Sequence, residues 1–188
     1  MNLFPRKYAV LAVCAGIALS VVGASPASAT SAYMFRTRTS YDSQHPEKSL
    51  CMDVSYASTA NGTAIKQWPC NSDNLAQRWT LEYVQRVDNL VYYQLVSSLS
   101  PQGNPKCLDL PWGNPAAGQT VQLWDCLGAA RQLWRWEQIP NAPYDYTLRN
   151  LQTDQCLDVP WADPVAGVPL WQWPCNGTEA QQWYTTMG

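Results

Sequence analysis

Short runs in which apolar and polar residues alternate recur along this chain, and they predict strands rather than helices. Residues 33–40, from Tyr33 through Phe35 to Ser40, alternate in this way and suit a first strand. Trp79-Thr80-Leu81-Glu82-Tyr83 alternates again, Asp88-Asn89 is a turn signal, and Val91 to Val96 is a β-branched and aromatic run. Tyr144 to Arg149 is the matching run further on. No stretch keeps a convincing helical period over three turns, and Pro and Gly fall mostly between the runs, as turns require.

The alternation sits inside a skeleton written three times. Cys51-Met52-Asp53-Val54 leads to Gly62, Trp68-Pro69-Cys70 and Gln77-Arg78-Trp79. Cys107-Leu108-Asp109-Leu110 leads likewise to Gly118, Trp124-Asp125-Cys126 and Gln132-Leu133-Trp134. Cys156-Leu157-Asp158-Val159 leads to Gly167, Trp173-Pro174-Cys175 and Gln181-Gln182-Trp183. In every copy the Asp is 2, the Gly 11 and the second Cys 19 residues after the first Cys. Self-similarity at this period marks stacked supersecondary units. Each unit offers about four strands, giving twelve in an all-β fold, and no unit buries an apolar face alone. A closed antiparallel barrel with approximate threefold symmetry shares one core and removes sheet edges.

The first residues change the picture of the compartment. Arg6 and Lys7 precede an apolar run, Tyr8 to Val22, and Ala27-Ser28-Ala29 is a small-residue cleavage signal. Residues 1–29 read as a secretory signal peptide, leaving a secreted domain over 33–188 with repeats of roughly 33–83, 88–139 and 143–188. Cleavage removes Cys14. The remaining six cysteines, paired by the repeat, predict disulfides Cys51–Cys70, Cys107–Cys126 and Cys156–Cys175, which an exported chain tolerates. Losing Arg6 and Lys7 takes the 12 basic residues to 10 against 14 acidic ones, a net charge of −4. No Lys/Arg cluster exists, which argues against nucleic acid or anionic membrane as partner. No later run is long enough to insert in a membrane. No C-x-x-C spacing and a single His, His45, argue against a metal, and no cofactor motif is present.

Strand alternation puts Cys107 and Asp109 on the face away from Leu108 and Leu110. Joining Cys107 to Cys126 directly across an antiparallel pair places Asp109 opposite Trp124, and likewise Asp53 opposite Trp68 and Asp158 opposite Trp173. A carboxylate beside an indole suits a sugar, whose C–H face lies on the ring while its hydroxyls donate to the acid. Each Asp equally fits a local strand-to-loop hydrogen bond, and each of these Trp equally fits a cover over the disulfide. Tyr56, Trp112 and Trp161, three residues after each Asp, suit a pocket wall or a loop anchor. Trp79, Trp134 and Trp183 read as core, and Gln77, Gln132 and Gln181 as structural. The acids occupy three equivalent positions rather than one cleft with two unequal carboxyls, so catalysis is poorly supported.

Three copies of this Cys-Asp, Trp-Cys and Gln-x-Trp pattern resemble the ricin-B-type lectins, over essentially the whole of 33–188. The resemblance implies a β-trefoil and a lectin-like, carbohydrate-binding protein with up to three shallow sites for a glycan or polysaccharide. The sugar-binding acid of that family falls on Asp53, Asp109 and Asp158, and its stacking aromatic on Trp68, Trp124 and Trp173. The Gln often found two before that aromatic is matched by Gln122 alone, with Lys66 and Trp171 in the other copies. The chain departs from the family at the sugar-binding Asn, where Ala76, Arg131 and Ala180 stand. The second site, with Asp109, Gln122, Trp124 and Arg131, keeps most of the constellation. The triple departure leaves open an alternative, a protein-binding or inhibitory β-trefoil that has lost sugar recognition. The oligomeric state and the identity of the sugar are not legible.

Overall fold

The structure, a computed structural model, describes residues 31–40, 44–45 and 48–187. The leader predicted for 1–29 lies outside the described residues. Among those described there is no α-helix, and twelve strands follow in order. They are β1 (Ala32–Thr37), β2 (Leu50–Val54), β3 (Thr63–Pro69), β4 (Trp79–Val87), β5 (Leu90–Ser97), β6 (Lys106–Asp109), β7 (Gln122–Asp125), β8 (Trp134–Ile139), β9 (Ala142–Asn150), β10 (Cys156–Asp158), β11 (Trp171–Trp173) and β12 (Trp183–Met187).

Six of them close a barrel. β1 pairs with β4, β4 with β5, β5 with β8, β8 with β9, β9 with β12, and β12 returns to β1, all antiparallel. The ring leaves no barrel strand with an open edge. The other six form three hairpins, β2–β3, β6–β7 and β10–β11, which cap one end of the barrel. This is the twelve-stranded β-trefoil in three repeats that the pattern predicts.

The core between barrel and cap is apolar and threefold. Met52, Val54 and Ile65 from the first hairpin and Leu and Val from the other two meet Trp79, Trp134 and Trp183, all fully buried. A buried indole N–H needs a partner. Each finds one on the adjacent hairpin: Trp79 donates to the Met52 carbonyl (3.4 Å), Trp134 to Leu108 (3.1 Å) and Trp183 to Leu157 (3.2 Å). These tryptophans are core, as their spacing predicts.

All three disulfides form as expected, each with a Cα–Cα distance of 5.1 Å. Closing a loop of this length stabilises by about 3 kcal/mol on the chain-entropy view. The hairpin register, however, differs by two residues from direct Cys–Cys opposition. Cys51 stands opposite Trp68, Cys107 opposite Trp124 and Cys156 opposite Trp173. The second Cys lies past the end of the ladder. There Cys70 donates its N–H to the Ser49 carbonyl and Cys126 to Pro105, both at 3.0 Å. The cystine thus joins diagonal rather than facing positions. The residues opposite the three Asp are Lys66, Gln122 and Trp171, not the predicted Trp68, Trp124 and Trp173. Side chains alternate with period two, so a two-residue shift keeps Asp and Trp on one face.

Asp125, which has no counterpart in the other repeats, ties two of them together. It accepts from the largely buried Lys106 Nζ (2.5 Å) and from Asn61 Nδ2 (2.7 Å) of the preceding repeat. The Lys106 and Asn61 hydrogen bonds hold its carboxyl below the usual range.

Replacing Trp134 by Ala opens a cavity at the barrel–cap junction and frees the Leu108 carbonyl. The expected loss is about 3–5 kcal/mol of unfolding free energy, read from the urea midpoint.

Candidate functional site

Each repeat forms one surface hollow, and the same positions build all three. The floor is the hairpin Asp. Asp53, Asp109 and Asp158 are almost wholly buried, with exposures of 3%, 1% and 4%. A carboxylate so placed needs donors. The Gln of each Gln-x-Trp is well placed to help, being fully buried itself. Gln77 Nε2 donates to Asp53 Oδ2 and to the Pro69 carbonyl, while its Oε1 accepts from Asn71 N–H. Gln181 does the same for Asp158, Pro174 and Asn176. Gln132 bonds the Asp125 carbonyl and Leu127 N–H but not Asp109. These glutamines are structural, as read, and two of them also hold the floor acid.

The outer wall is the aromatic three residues after the Asp. Tyr56, Trp112 and Trp161 are 94%, 88% and 82% exposed and have φ of 57°, 56° and 61°. A bulky side chain in the left-handed region costs of order 1–3 kcal/mol, a strain that clusters at functional sites. Here the strain recurs three times and covers no core. Each residue is held by a one-turn 3-10 segment, closed by Ser58 N–H to Ser55, Asn114 N–H to Pro111, and Asp163 N–H to Pro160.

The Gly loop of the preceding repeat in the ring braces each hairpin, and in the first hollow Gly167 of that loop also lines the recess. Gly62 N–H donates to the Leu123 carbonyl, Gly118 to Gln172 and Gly167 to Gln67, at 2.8–2.9 Å. Gly118 has φ +80°, and a Cβ on it would lie 3.3 Å from carbons of Trp171. Gln67 and Gln172 reach across to hold the neighbouring loops, donating to the carbonyls of Asp163 and Val165 and of Asn114 and Ala116.

The three hollows differ in what stands opposite the Asp. In the second, Gln122 Nε2 donates to Asp109 Oδ1 (2.8 Å) and Arg131 Nε to Oδ2 (3.0 Å). Asp109, Gln122, Trp124 and Arg131 do converge with Trp112, but only about 50 Å³ remains between them. The hollow closest to the family pattern is thus the most filled. In the third, Trp171 takes the part of the Gln, its indole N–H donating to Asp158 Oδ1 (2.5 Å). Trp171 stacks on Trp173 (centroids 5.0 Å, 20°) and meets Trp161 edge-on (5.5 Å, 64°). Asp158, Trp173 and these rings enclose about 270 Å³ with Asn176 and Thr178. In the first, Asp53 and Trp68 line about 490 Å³ with Lys66, Asn74, Tyr56 and Gly167. Asn74 Nδ2 donates to Asp53 Oδ2 (3.3 Å) while its Oδ1 caps Ala76 N–H (3.0 Å). Sequence reasoning missed Asn74 because it expected the amide at position 76.

Burial pushes the Asp53 carboxyl above the ordinary 3.8, outweighing Gln77, Lys66 and Asn74. Burial does the same to Asp158 against Trp171 and Gln181. Among the described residues no group of three or more His, Cys, Asp or Glu is placed to hold a metal ion, and no helix is long and apolar enough to cross a membrane.

The cap of this β-trefoil thus carries three acid-floored, aromatic-walled hollows, one to each repeat. The family model "Ricin-type beta-trefoil lectin domain" matches residues 95–188, and "Ricin-type beta-trefoil lectin domain-like" matches 33–124. The chain belongs to the ricin-type β-trefoil lectin domain family. No curated protein sequence matches it. Among solved structures it is similar to a designed threefold symmetric protein, ThreeFoil, with 27% identity, 82% of this chain and 97% of that chain covered, and a TM-score of 0.69. It is also similar to the exo-β-1,3-galactanase 1,3Gal43A from Clostridium thermocellum, at 21% identity and TM-score 0.71. There 85% of this chain aligns with only 30% of that enzyme. The C-half of an earthworm R-type lectin in complex with GalNAc aligns at 15% identity and TM-score 0.56, with 84% and 99% covered.

The raised carboxyls set a pH dependence whose sign is fixed. A folded-state pKa above the unfolded one means the folded chain binds the extra proton, so this contribution stabilises at low pH and is lost as pH rises through the folded value. In urea titrations, wild type is expected to gain stability relative to Asp53→Asn/Asp158→Asn as pH is lowered from 7 toward 3.8. A constant gap between the two proteins would contradict the raised values.

Proposed function

We propose that this is a secreted, non-catalytic carbohydrate-binding protein that works mainly through its first and third hollows. The observation that carries this reading is the threefold recurrence of a buried carboxylate beneath a strained, solvent-exposed aromatic ring. The acid accepts hydroxyl protons, and the ring takes the C–H face of a pyranose. Asp53 Oδ1 is the acceptor with spare capacity, since the bonds from Asn74 and Gln77 both go to Oδ2. In the third hollow both Asp158 oxygens already hold donors, so recognition leans on Trp161 and Trp173 and on the lone pairs that remain. In the second, a sugar reaches Asp109 only after Arg131 swings aside.

Residues 33–188 are taken as one lectin module of three repeats, and 1–29 as its export leader. Three disulfides fit an oxidising compartment. Each hollow is lined by a single carboxylate, whereas glycoside hydrolysis uses a pair. One shallow hollow supplies roughly −4 kcal/mol, a millimolar Kd, and two or more on one polysaccharide multiply it through avidity.

Depletion of the pure protein on a panel of insoluble polysaccharides tests the reading. Wild type is expected to be retained on at least one, without release of reducing sugar. Trp173→Ala and Asp53→Asn should each weaken retention about tenfold, and the double variant should remain in solution. Wild type left in solution on every glycan, together with a protein partner captured in the presence of free sugar, would favour the protein-binding alternative.

A further inference from the structure

At the position facing its Asp, the first hollow differs from its two copies by a cation. Where the second hollow has Gln122 and the third Trp171, this one has Lys66, directly opposite Asp53 in the hairpin. Gln122 and Trp171 each donate to their Asp. Lys66 does not. Its ammonium lies 3.9 Å from the Trp68 ring centroid and 5.1 Å from that of Tyr56. No ion pair joins it to a carboxylate of the described residues. Both rings are open to solvent, Trp68 at 43% and Tyr56 at 94%, and the hollow is the roomiest of the three.

This ammonium feels the ring faces and the charge of Asp53 but makes no hydrogen bond to either, so it keeps most of its capacity to pair. It also sits on the indole face that a sugar would use. A neutral sugar therefore has to displace the ammonium and offers it only hydroxyl acceptors in return. A sugar unit bearing an anion draws the ammonium off the ring by forming a charge-assisted bond, and the bared indole then takes its C–H face. Asp53, buried at the floor and bonded by Asn74 and Gln77, meets only hydroxyls.

The geometry points to the first hollow as a site for acidic sugars, with Lys66 the residue that selects the anion. The assignment rests on the carbohydrate-binding reading above and sharpens it for this one hollow. The chemistry shared by its ligands is a compact anion on a pyranose, either a uronate carboxylate or a sulfate ester.

The test uses polygalacturonate, the same polymer after carboxyl reduction, and a sulfated galactan, immobilised at equal density at low salt. The full chain carries Trp173→Ala, which silences the third hollow. Retention is expected to be about tenfold stronger on polygalacturonate than on its reduced form, and to fall with added salt. Lys66→Gln, which installs the side chain found at the equivalent place in the second hollow, should erase the difference. Lys48→Gln, an exposed charge outside the hollows, should leave it intact. Stronger retention on the sulfated galactan too would show that any compact anion serves, and preference for polygalacturonate alone would assign the carboxylate. Equal retention on acidic and reduced polymers, or a preference that survives Lys66→Gln, overturns the anion assignment while leaving carbohydrate binding standing. Retention on none of these polymers, nor of wild type on any neutral glycan, overturns both.

Discussion

The indole N–H of each Gln-x-Trp couples the scaffold of this protein to its surface. Trp79, Trp134 and Trp183 donate to the carbonyls of Met52, Leu108 and Leu157. Those are the residues immediately before Asp53, Asp109 and Asp158. The strand that carries each floor acid is therefore pinned from beneath by the core. Two residues before each indole, a buried Gln clamps the loop beyond the second Cys, and in two repeats it also holds the acid. One short motif thus joins barrel to cap and fixes the height of the carboxylate. Its three parts are not separable in energy, because freeing the indole also frees the hairpin carbonyl it serves.

On that fixed frame, chemistry varies at a single facing position. Lys66, Gln122 and Trp171 occupy the same register place and present an ammonium, an amide and an indole N–H. The amide and the indole satisfy their acids, and the ammonium leaves its acid to Asn74 and Gln77. The three hollows differ several-fold in volume although the backbone beneath them repeats. Arg131 accounts for the smallest, because its guanidinium fills the space that Ala76 and Ala180 leave open elsewhere.

Much of the frame was legible in the sequence because it rests on spacing. The 19-residue interval between cysteines, the alternation on either side and the Gln-x-Trp triplets are enough for the strands, the cystines and the core tryptophans. Register was misjudged because a cystine was placed squarely across the pair. The chain after Trp68, Trp124 and Trp173 instead runs past the ladder, so the bond closes diagonally. The even size of the error kept the right residues on the right face. Asn74 escaped notice because it acts as cap and acid donor from two positions upstream of the expected amide. The left-handed backbone at Tyr56, Trp112 and Trp161 has no Gly to announce it. Whether a hollow stands open depends on side-chain conformation, and for Arg131 no periodicity encodes that.

The loop bearing Gly62 braces the second hairpin, that bearing Gly118 the third, and that bearing Gly167 the first. The support behind every recess is therefore divided between two repeats around a closed cycle. A solitary repeat holds a complete acid and ring yet lacks the loop that braces its hairpin, and two in tandem brace one hairpin but not the other. Shape in such an architecture is a property of ring closure rather than of any segment. Moving the chain ends to another junction would preserve all three recesses, whereas deleting one lobe would remove its own recess and leave the hairpin of the following lobe without its neighbour.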